Sequence, residues 1–395
     1  MPRLILAFAS VASLLLPPVA ALSAAESAPA APSPATKTLL SDAVLREFEP
    51  DLHGRPERLP TYLQQFRRAV VRDPRLFAFD ARAEWVDGNR VRLTGWVEFA
   101  EHRAALLELL QRLGFTRVDD RLESLPSASL EARRFGFIKV PHSFAYDRPT
   151  GERGIENDCL LGESVFLLRE AEGGLFLCRS DEGYVAYIAA SDIQRVDEAE
   201  FVRYQDGPQV RLCENYLDGQ TQLPLGARLK CTGRTQDAVQ VLLPTGETAN
   251  VPAGKCEVEE PGSHPAVERA IAAALRLKGT PYLWGGRTSA GVDCSGLVQT
   301  GFGTAGLRLP RDSDQQAYVG RLTATRWSRA GLRRGDTLYF LRSDGRIGHT
   351  GIFLGDDQYL EAVRPAVQIT SFNPQHPNYS AAREAAFAFA KRWLD

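Results

Sequence analysis

The chain has 395 residues, more than one compact core usually holds, and its 44% apolar and 24% charged residues are typical of a folded, multidomain protein. The formal net charge of −2 excludes a global basic field of the kind that attracts nucleic acid, so we expect no nucleic-acid partner. The six cysteines include no CxxC or CxxH pair, so we expect no metal site and no cofactor.

The first residues predict an export signal. Arg3 gives a positive start, Leu4 to Leu16 is an apolar run, and Val19-Ala20-Ala21 is a small-residue cleavage site. We therefore expect a signal peptide over 1–21, an Ala/Pro/Ser-rich linker over 22–37, and an exported protein, periplasmic or extracellular. The apolar run is too short to span a bilayer comfortably, so we expect no transmembrane anchor. The alternative is a buried N-terminal helix.

Residues 38–128 show the pattern of a small α/β domain. The apolar faces of Leu63 to Val71 and His102 to Leu113 predict helices, and the alternation over Arg90 to Val97 predicts a strand. A further strand pattern follows at Phe115 to Leu122. This order loosely resembles the BON domain of exported bacterial proteins, and the resemblance implies a binding or spacer role.

Residues 130–258 contain short strand patterns separated by turn signals, which is typical of small β-barrels. The stretch is long enough for two barrels, over 130–203 and 207–258. Leu160 to Glu163, followed by Gly183 to Ile188, resembles bacterial SH3-like domains. We therefore expect two SH3-like barrels here, the second as a diverged copy of the first.

Residues 263–395 predict a last unit in which a helix precedes antiparallel strands. His264 to Leu277 has an apolar helical face, and Cys294 to Phe302 has the same pattern after a Gly-rich turn. This order is typical of an α+β arrangement. Strands are expected at Thr337 to Leu341, His349 to Leu354 and Gln358 to Ala362.

A cysteine and a histidine in this last unit carry the sharpest chemical signal. Cys294 lies at a predicted helix start, where unpaired N–H groups and the helix dipole favour a thiolate nucleophile. His349 begins an apolar strand, a position from which an imidazole can face that helix. Alone, each residue could equally be structural. Together they favour a catalytic pair.

Five sequence blocks resemble, in order, the NlpC family of papain-like cysteine peptidases, over about residues 265–370. The resemblance implies a metal-free cysteine peptidase, a hydrolase that acts on peptidoglycan stem peptides or muropeptides. The expected fold class is thus α+β multidomain: a small α/β N-terminal domain, two small SH3-like β-barrels and a papain-like α+β peptidase domain. The blocks are Gly279-Thr280-Pro281-Tyr282-Leu283-Trp284-Gly285-Gly286, Asp293-Cys294-Ser295-Gly296-Leu297-Val298, Leu309-Pro310-Arg311-Asp312-Ser313, Arg334-Gly335-Asp336 and Gly348-His349-Thr350-Gly351-Ile352.

The resemblance also implies roles for individual residues. Cys294 is the nucleophile and His349 its base. The family has a third polar residue a dozen positions later, usually His, Asn or Gln, and this chain departs from that pattern with Glu361. A carboxylate could still orient the ring and would favour a thiolate–imidazolium pair; the alternative is that Glu361 faces solvent. Tyr282 would polarise the scissile carbonyl, unless it is a packed aromatic.

Further positions are carried over as substrate contacts, namely Trp284 as a wall of the pocket and Asp293 and Ser295 beside the nucleophile. A subgroup with SH3-like domains cuts between D-glutamate and the diamino acid and requires a free L-alanine amine. Its amine-binding residues correspond here to Glu156, Tyr184, Asp312 and Ser313.

Two other functions remain open. A general lytic hydrolase would cut intact peptidoglycan, in which the L-alanine amine is acylated. A non-catalytic wall-binding protein would instead use its N-terminal domains.

Export would permit disulfides. Cys159 with Cys178 is a candidate pair because both fall in one expected barrel, whereas Cys294 is expected to be a free thiol. The alternative is that these cysteines are buried and unpaired. At most one further pair is possible among Cys213, Cys231 and Cys256.

Overall fold

The computed structural model describes residues 40–259 and 267–394. The expected signal peptide (1–21) and linker (22–37) lie outside these residues, so both stay predictions. In the described part the chain is a mixed α/β protein with several separate sheets. No helix in that part is long and apolar enough to cross a membrane.

The N-terminal unit packs helices against a small mixed sheet. Strand β2 pairs antiparallel with β1 and parallel with β3 and β4, and helix α3 makes the crossover between β2 and β3. The crossover forms because Leu106, Leu109 and Leu110 on one face of α3 are fully buried in the core. The elements are α1 (Asp42–Phe48), α2 (Leu59–Phe66) with a π-helical turn (Arg67–Val71), β1 (Phe79–Asp87), β2 (Arg90–Val97), α3 (Ala100–Arg112), β3 (Arg117–Asp120) and β4 (Glu123–Ser124).

The next unit is a seven-stranded antiparallel sheet. Its strand order is β11-β5-β8-β9-β10-β6-β7, and no pairing joins the two edge strands within the described residues. The number of SH3-like barrels therefore stays a prediction. The strands are β5 (Phe135–Ile138), β6 (His142–Tyr146), β7 (Ile155–Leu160), β8 (Ser164–Ala171), β9 (Leu175–Ser180), β10 (Val185–Ala189) and β11 (Ile193–Val196).

Helix α4 (Glu198–Gln205) separates this sheet from a second, five-stranded one. The second sheet has the order β17-β16-β15-β12-β18 and is accompanied by a hairpin of β13 and β14. Its apolar face packs into a core that is separate from that of the first sheet and that Leu161 of the preceding unit also joins. The strands are β12 (Gln209–Leu212), β13 (Tyr216–Asp218), β14 (Thr221–Leu223), β15 (Arg228–Arg234), β16 (Ala238–Leu242), β17 (Thr248–Pro252) and β18 (Cys256–Glu259).

In the C-terminal unit, two helices lie on one side of a six-stranded sheet of order β21-β26-β22-β23-β24-β25. Helix α6 packs against α5 and against the central strand β23, because the apolar faces of all three meet in one core. The elements are α5 (Val267–Leu275), β19 (Arg287–Thr288), β20 (Gly291–Val292), α6 (Cys294–Thr304), α7 (Ser313–Gln316), β21 (Arg321–Thr325), β22 (Thr337–Leu341), β23 (Ile347–Gly355), β24 (Gln358–Ala362), β25 (Val367–Ser371), α8 (Ala381–Ala386) and β26 (Phe387–Arg392).

The expected disulfides are absent, since all six cysteines are free thiols in the structure. Cys159 on β7 and Cys178 on β9 share a core, but β10 and β6 lie between their strands. Three strand spacings correspond to about 14 Å along the sheet. A disulfide needs Cα atoms within about 7 Å. Cys159 and Cys178 are therefore buried and unpaired, which was the alternative expectation.

Candidate active site

Cys294 is the first residue of α6 and is buried. The helix begins there because the Asp293 carboxylate caps it, accepting the backbone N–H of Gly296 at 2.7 Å. Thr350, the neighbour of His349 in the chain, directs its backbone N–H to the Cys294 thiol. The packing of α6 on β23 therefore brings the two predicted catalytic positions together.

Asp293 and Ser295 support the helix start from inside. Asp293 also accepts the backbone N–H of Gly285 at 2.8 Å and two hydrogen bonds from the Arg311 guanidinium, at 3.1 and 2.7 Å. Arg311 donates to the Ser295 hydroxyl as well, at 2.9 Å. Both side chains are buried and engaged in these hydrogen bonds, and their expected role as substrate contacts stays a prediction. The polar groups of Asp293 and Ser295 form hydrogen bonds that stabilise the turn carrying Cys294.

His349 is held by Glu361. The imidazole Nε2 lies 2.5 Å from a carboxylate oxygen of Glu361, and both side chains are buried. The 12-residue spacing is that of a hairpin, in which β23 and β24 pair antiparallel and the side chains of His349 and Glu361 meet across the two strands. Glu361 does not face solvent, so that alternative is wrong.

Two residues that the sequence did not indicate complete this network. Thr370 on β25 donates its hydroxyl to the other carboxylate oxygen of Glu361 at 2.6 Å. Arg383 on α8 forms an ion pair with Glu361 at 3.0 Å. Neither belongs to a recognisable block, and both reach Glu361 through the tertiary fold.

The electrostatics favour a neutral resting pair. Burial and the Asp293 charge raise the pKa of Cys294 to about 12, against the opposing effect of the Thr350 and Ser295 N–H groups. Burial lowers the pKa of His349, although the hydrogen bond that the ring donates to Glu361 acts in the other direction. Desolvation thus acts against the expected thiolate–imidazolium pair in the substrate-free site, and that pair stays a prediction.

Burial opposes ionisation of Glu361, yet its hydrogen bond with His349 and the charges of His349 and Arg383 lower the pKa of this carboxyl. Glu361 is therefore a carboxylate at neutral pH. It supplies a fixed negative charge next to the imidazole, ready for the moment at which the ring gains a proton.

Tyr282 and Trp284 come from the Gly-rich turn before α6. Tyr282 is half-buried, and its pKa is raised first by burial and then by the nearby Cys294. The Tyr282 hydroxyl therefore carries a proton at neutral pH. It lies close enough to Cys294 for a thiolate charge there to raise the pKa of Tyr282. Trp284 is 58% exposed, so it borders the site without being packed into it.

The four residues expected to bind an amine also converge. The Tyr184 hydroxyl donates to Glu156 at 2.8 Å, and after burial the Asp312 charge contributes most to the raised pKa of Tyr184. Ser313 follows Asp312 and starts α7. Burial raises the pKa of Asp312 as well. At the boundary of the seven-stranded sheet and the C-terminal unit these side chains form one acidic cluster, called the recess, which consists of Glu156, Tyr184, Asp312 and Ser313.

Arg75 from the N-terminal unit enters this recess, which no sequence signal indicated. Its guanidinium donates to Asp312 at 2.8 Å and to both oxygens of Asp314 at 3.0 Å. Asp73 accepts from the same group at 2.8 and 2.9 Å. Three units of the chain therefore meet at this point.

Comparison with known proteins identifies a family for the part of the chain that contains Cys294 and His349. Residues 279–384 match the NlpC/P60 family, so the chain carries an NlpC/P60 domain. Over 111 residues the chain is 40% identical to the murein DD-endopeptidase MepS/murein LD-carboxypeptidase of Escherichia coli (strain K12), covering 27% of this chain and 56% of that protein. Over 132 residues it is 27% identical to a γ-D-glutamyl-L-lysine dipeptidyl-peptidase of Bacillus cereus, covering 33% and 37%. The chain thus spans about half or less of the length of these relatives.

About two thirds of the chain also share the fold of a solved structure. A crystal structure of an NlpC/P60 family protein from Bacillus cereus superposes with a TM-score of 0.57 at 20% identity, covering 66% of this chain and all of that one. At this identity the match establishes a common fold.

Proposed function

We propose that this chain is an exported cysteine endopeptidase that hydrolyses the stem peptides of peptidoglycan. One observation carries the proposal. The buried Cys294 thiol at the capped start of α6 adjoins strand β23, and the His349 imidazole on that strand is hydrogen-bonded through Nε2 to the Glu361 carboxylate. The NlpC/P60 domain and the curated relatives, both named as peptidases, support the reaction class. Export rests on the signal-like sequence of residues 1–21.

The chemistry follows from the neutral resting pair. His349 takes the Cys294 proton as the sulfur attacks the scissile carbonyl carbon, and Glu361 compensates the imidazolium that forms. The Tyr282 hydroxyl and a backbone N–H at the helix start stabilise the negative oxygen. The imidazolium then protonates the leaving amine, and the C–N bond breaks to leave a thioester. Water, deprotonated by His349, hydrolyses that thioester and restores the thiol.

We further propose that the bond cut is the one between γ-D-glutamate and the diamino acid. The recess of Glu156, Tyr184, Asp312 and Ser313 would then receive the L-alanine at the other end of the peptide. Converging acids and a phenol suit an ammonium ion, so a free amine is preferred. The name of the Bacillus cereus relative, which specifies a γ-D-glutamyl-L-lysine bond, supports this choice.

A second candidate is a lytic hydrolase of intact peptidoglycan, where the amine is acylated. The ion pair between Arg75 and Asp312 favours it, because one acid of the recess already has a cation. A purely wall-binding protein is less consistent with the structure, since binding alone would not need the buried His349–Glu361 pair.

The deciding experiment incubates the purified protein with defined muropeptides, with and without a free L-alanine amine, and identifies products by mass spectrometry. We expect L-Ala-γ-D-Glu as a product and no product from Cys294→Ala. Products cut at another bond would refute the proposed specificity. An absence of cleavage in every substrate would refute the peptidase function.

A further inference from the structure

Arg75 is a cation placed among carboxylates. It lies in the short connection between α2 and β1, and its guanidinium bonds to Asp73, Asp312 and Asp314. Glu156 is a fourth carboxylate of the same recess, joined through the Tyr184 hydroxyl. The region therefore stays acidic overall, but it contains the positive charge of Arg75, and the buried Arg311 guanidinium is a second positive charge that acts on Asp312.

The position of Arg75 is fixed by its backbone and its neighbours. The Val185 N–H donates to the Arg75 carbonyl at 2.6 Å, and Arg179 donates to the next carbonyl, that of Leu76, at 2.8 Å. Arg179 also forms an ion pair with Glu98 at 2.5 Å across the same interface. These contacts hold Arg75 as a constant part of the recess.

An apolar cluster reinforces this interface. It joins the N-terminal unit to the seven-stranded sheet and consists of Ala78, Leu125, Leu168 and Leu177. Burying this surface favours the docked arrangement of the two units. The segment that carries Arg75 is therefore well packed, whereas lids are formed by weakly packed segments.

We infer that Arg75 is a specificity-determining residue. Its guanidinium partly neutralises the negative charge of Asp312 and so weakens the attraction of Asp312 for a substrate ammonium. This inference rests on the proposed function. A second cation placed beside the first is repelled by it, so the free amine gains less from the acids than it would in an unoccupied recess. An acylated amine carries no charge and is not subject to that repulsion. Arg75 therefore lowers the ratio of kcat/KM for peptides with a free amine to kcat/KM for acylated peptides.

The test measures one ratio, kcat/KM for L-Ala-γ-D-Glu-L-Lys divided by kcat/KM for its N-acetyl derivative, with the meso-diaminopimelate peptides in parallel. Arg75→Gln should raise this ratio about tenfold, mainly through a lower KM for the free peptide, as one lost charge repulsion implies. Arg75→Lys keeps the charge and should keep the ratio near that of the wild type. Arg179→Gln is the matched control, because it weakens the same interface while Arg179 bonds to none of Asp73, Asp312, Asp314 and Glu156.

A ratio in Arg75→Gln within twofold of the wild type would overturn the inference. An equal rise in Arg179→Gln would overturn it too, because the effect would then come from loosened docking. Binding of both peptides to Cys294→Ala, with and without Arg75→Gln, gives the corresponding Kd ratio by calorimetry. If that ratio shifts while the wild type hydrolyses neither peptide, the peptidase proposal fails and the inference stands. If the peptides are cut but neither ratio moves, the inference fails alone.

Discussion

Replacing Glu361 tests whether its carboxylate works through His349. The carboxylate is buried and touches the ring Nε2 at 2.5 Å. A hydrogen bond to a charged group contributes about 1.5–3 kcal/mol and a neutral one about 0.5–1.5 kcal/mol. Glu361→Gln keeps an acceptor and loses the charge, so kcat/KM should fall about tenfold. Glu361→Ala removes the acceptor as well and should lose about 100-fold or more.

The pH profile separates this electrostatic role from a structural one. The Glu361 hydrogen bond raises the pKa of His349 against the lowering effect of burial, whereas the Arg383 charge lowers it. His349 must be neutral to accept the thiol proton, so its pKa sets the acid limb of kcat/KM. Glu361→Gln should move that limb to lower pH, and Arg383→Gln should move it to higher pH.

The assay is continuous hydrolysis of a stem peptide from pH 4 to 9, with melting temperatures to confirm folding. Thr370→Val is the control for packing, because it removes a hydrogen bond to Glu361 and leaves the charge in place. Equal kcat/KM in the wild type and both Glu361 variants, with an unmoved acid limb, would show that the carboxylate is a bystander. Shifts of the same sign in the Glu361 and Arg383 variants would refute the electrostatic account.

The remaining predictions concern the thiol, the imidazole and the buried arginine. Cys294→Ala should melt within a few degrees of the wild type and lose essentially all hydrolysis; near wild-type turnover would end the mechanism. Because burial lowers the pKa of His349, the acid limb of kcat/KM should lie below the ordinary value of about 6.5, with activity lost as pH falls through it; a limb above pH 7 contradicts this. Arg311→Met leaves Asp293 buried without its cation and should reduce the free energy of unfolding in urea by about 3–5 kcal/mol. Arg308→Met removes a half-exposed ion pair and should change it by less than about 1 kcal/mol; equal losses in the two variants would refute the argument.

Local sequence patterns predicted much of the C-terminal unit. The strands over 337–341 and 358–362 have the expected bounds, and the helix that starts at Cys294 extends two residues beyond Phe302. The helix in the N-terminal unit runs over Ala100–Arg112 instead of 102–113. Such elements are readable because a helix cap and an apolar period are properties of a short window of sequence.

The supporting residues depended on the tertiary structure. Arg75 and Asp312 are 237 residues apart, and Arg383 reaches Glu361 from a different element. No window of sequence contains both members of either pair. The packing of apolar faces fixes the units against each other. This packing determines which arginine reaches which carboxylate.

The sequence by itself predicted the candidate reacting groups, through a thiol at a helix start, an imidazole on a strand and a carboxylate 12 residues later. The tertiary structure decided their burial and their surroundings. Burial depends on how sheets and helices close over the site, and here it raises the pKa of Cys294 and lowers that of His349. The absence of disulfides has the same origin, because strand order, and not chain spacing, sets the distance between Cys159 and Cys178.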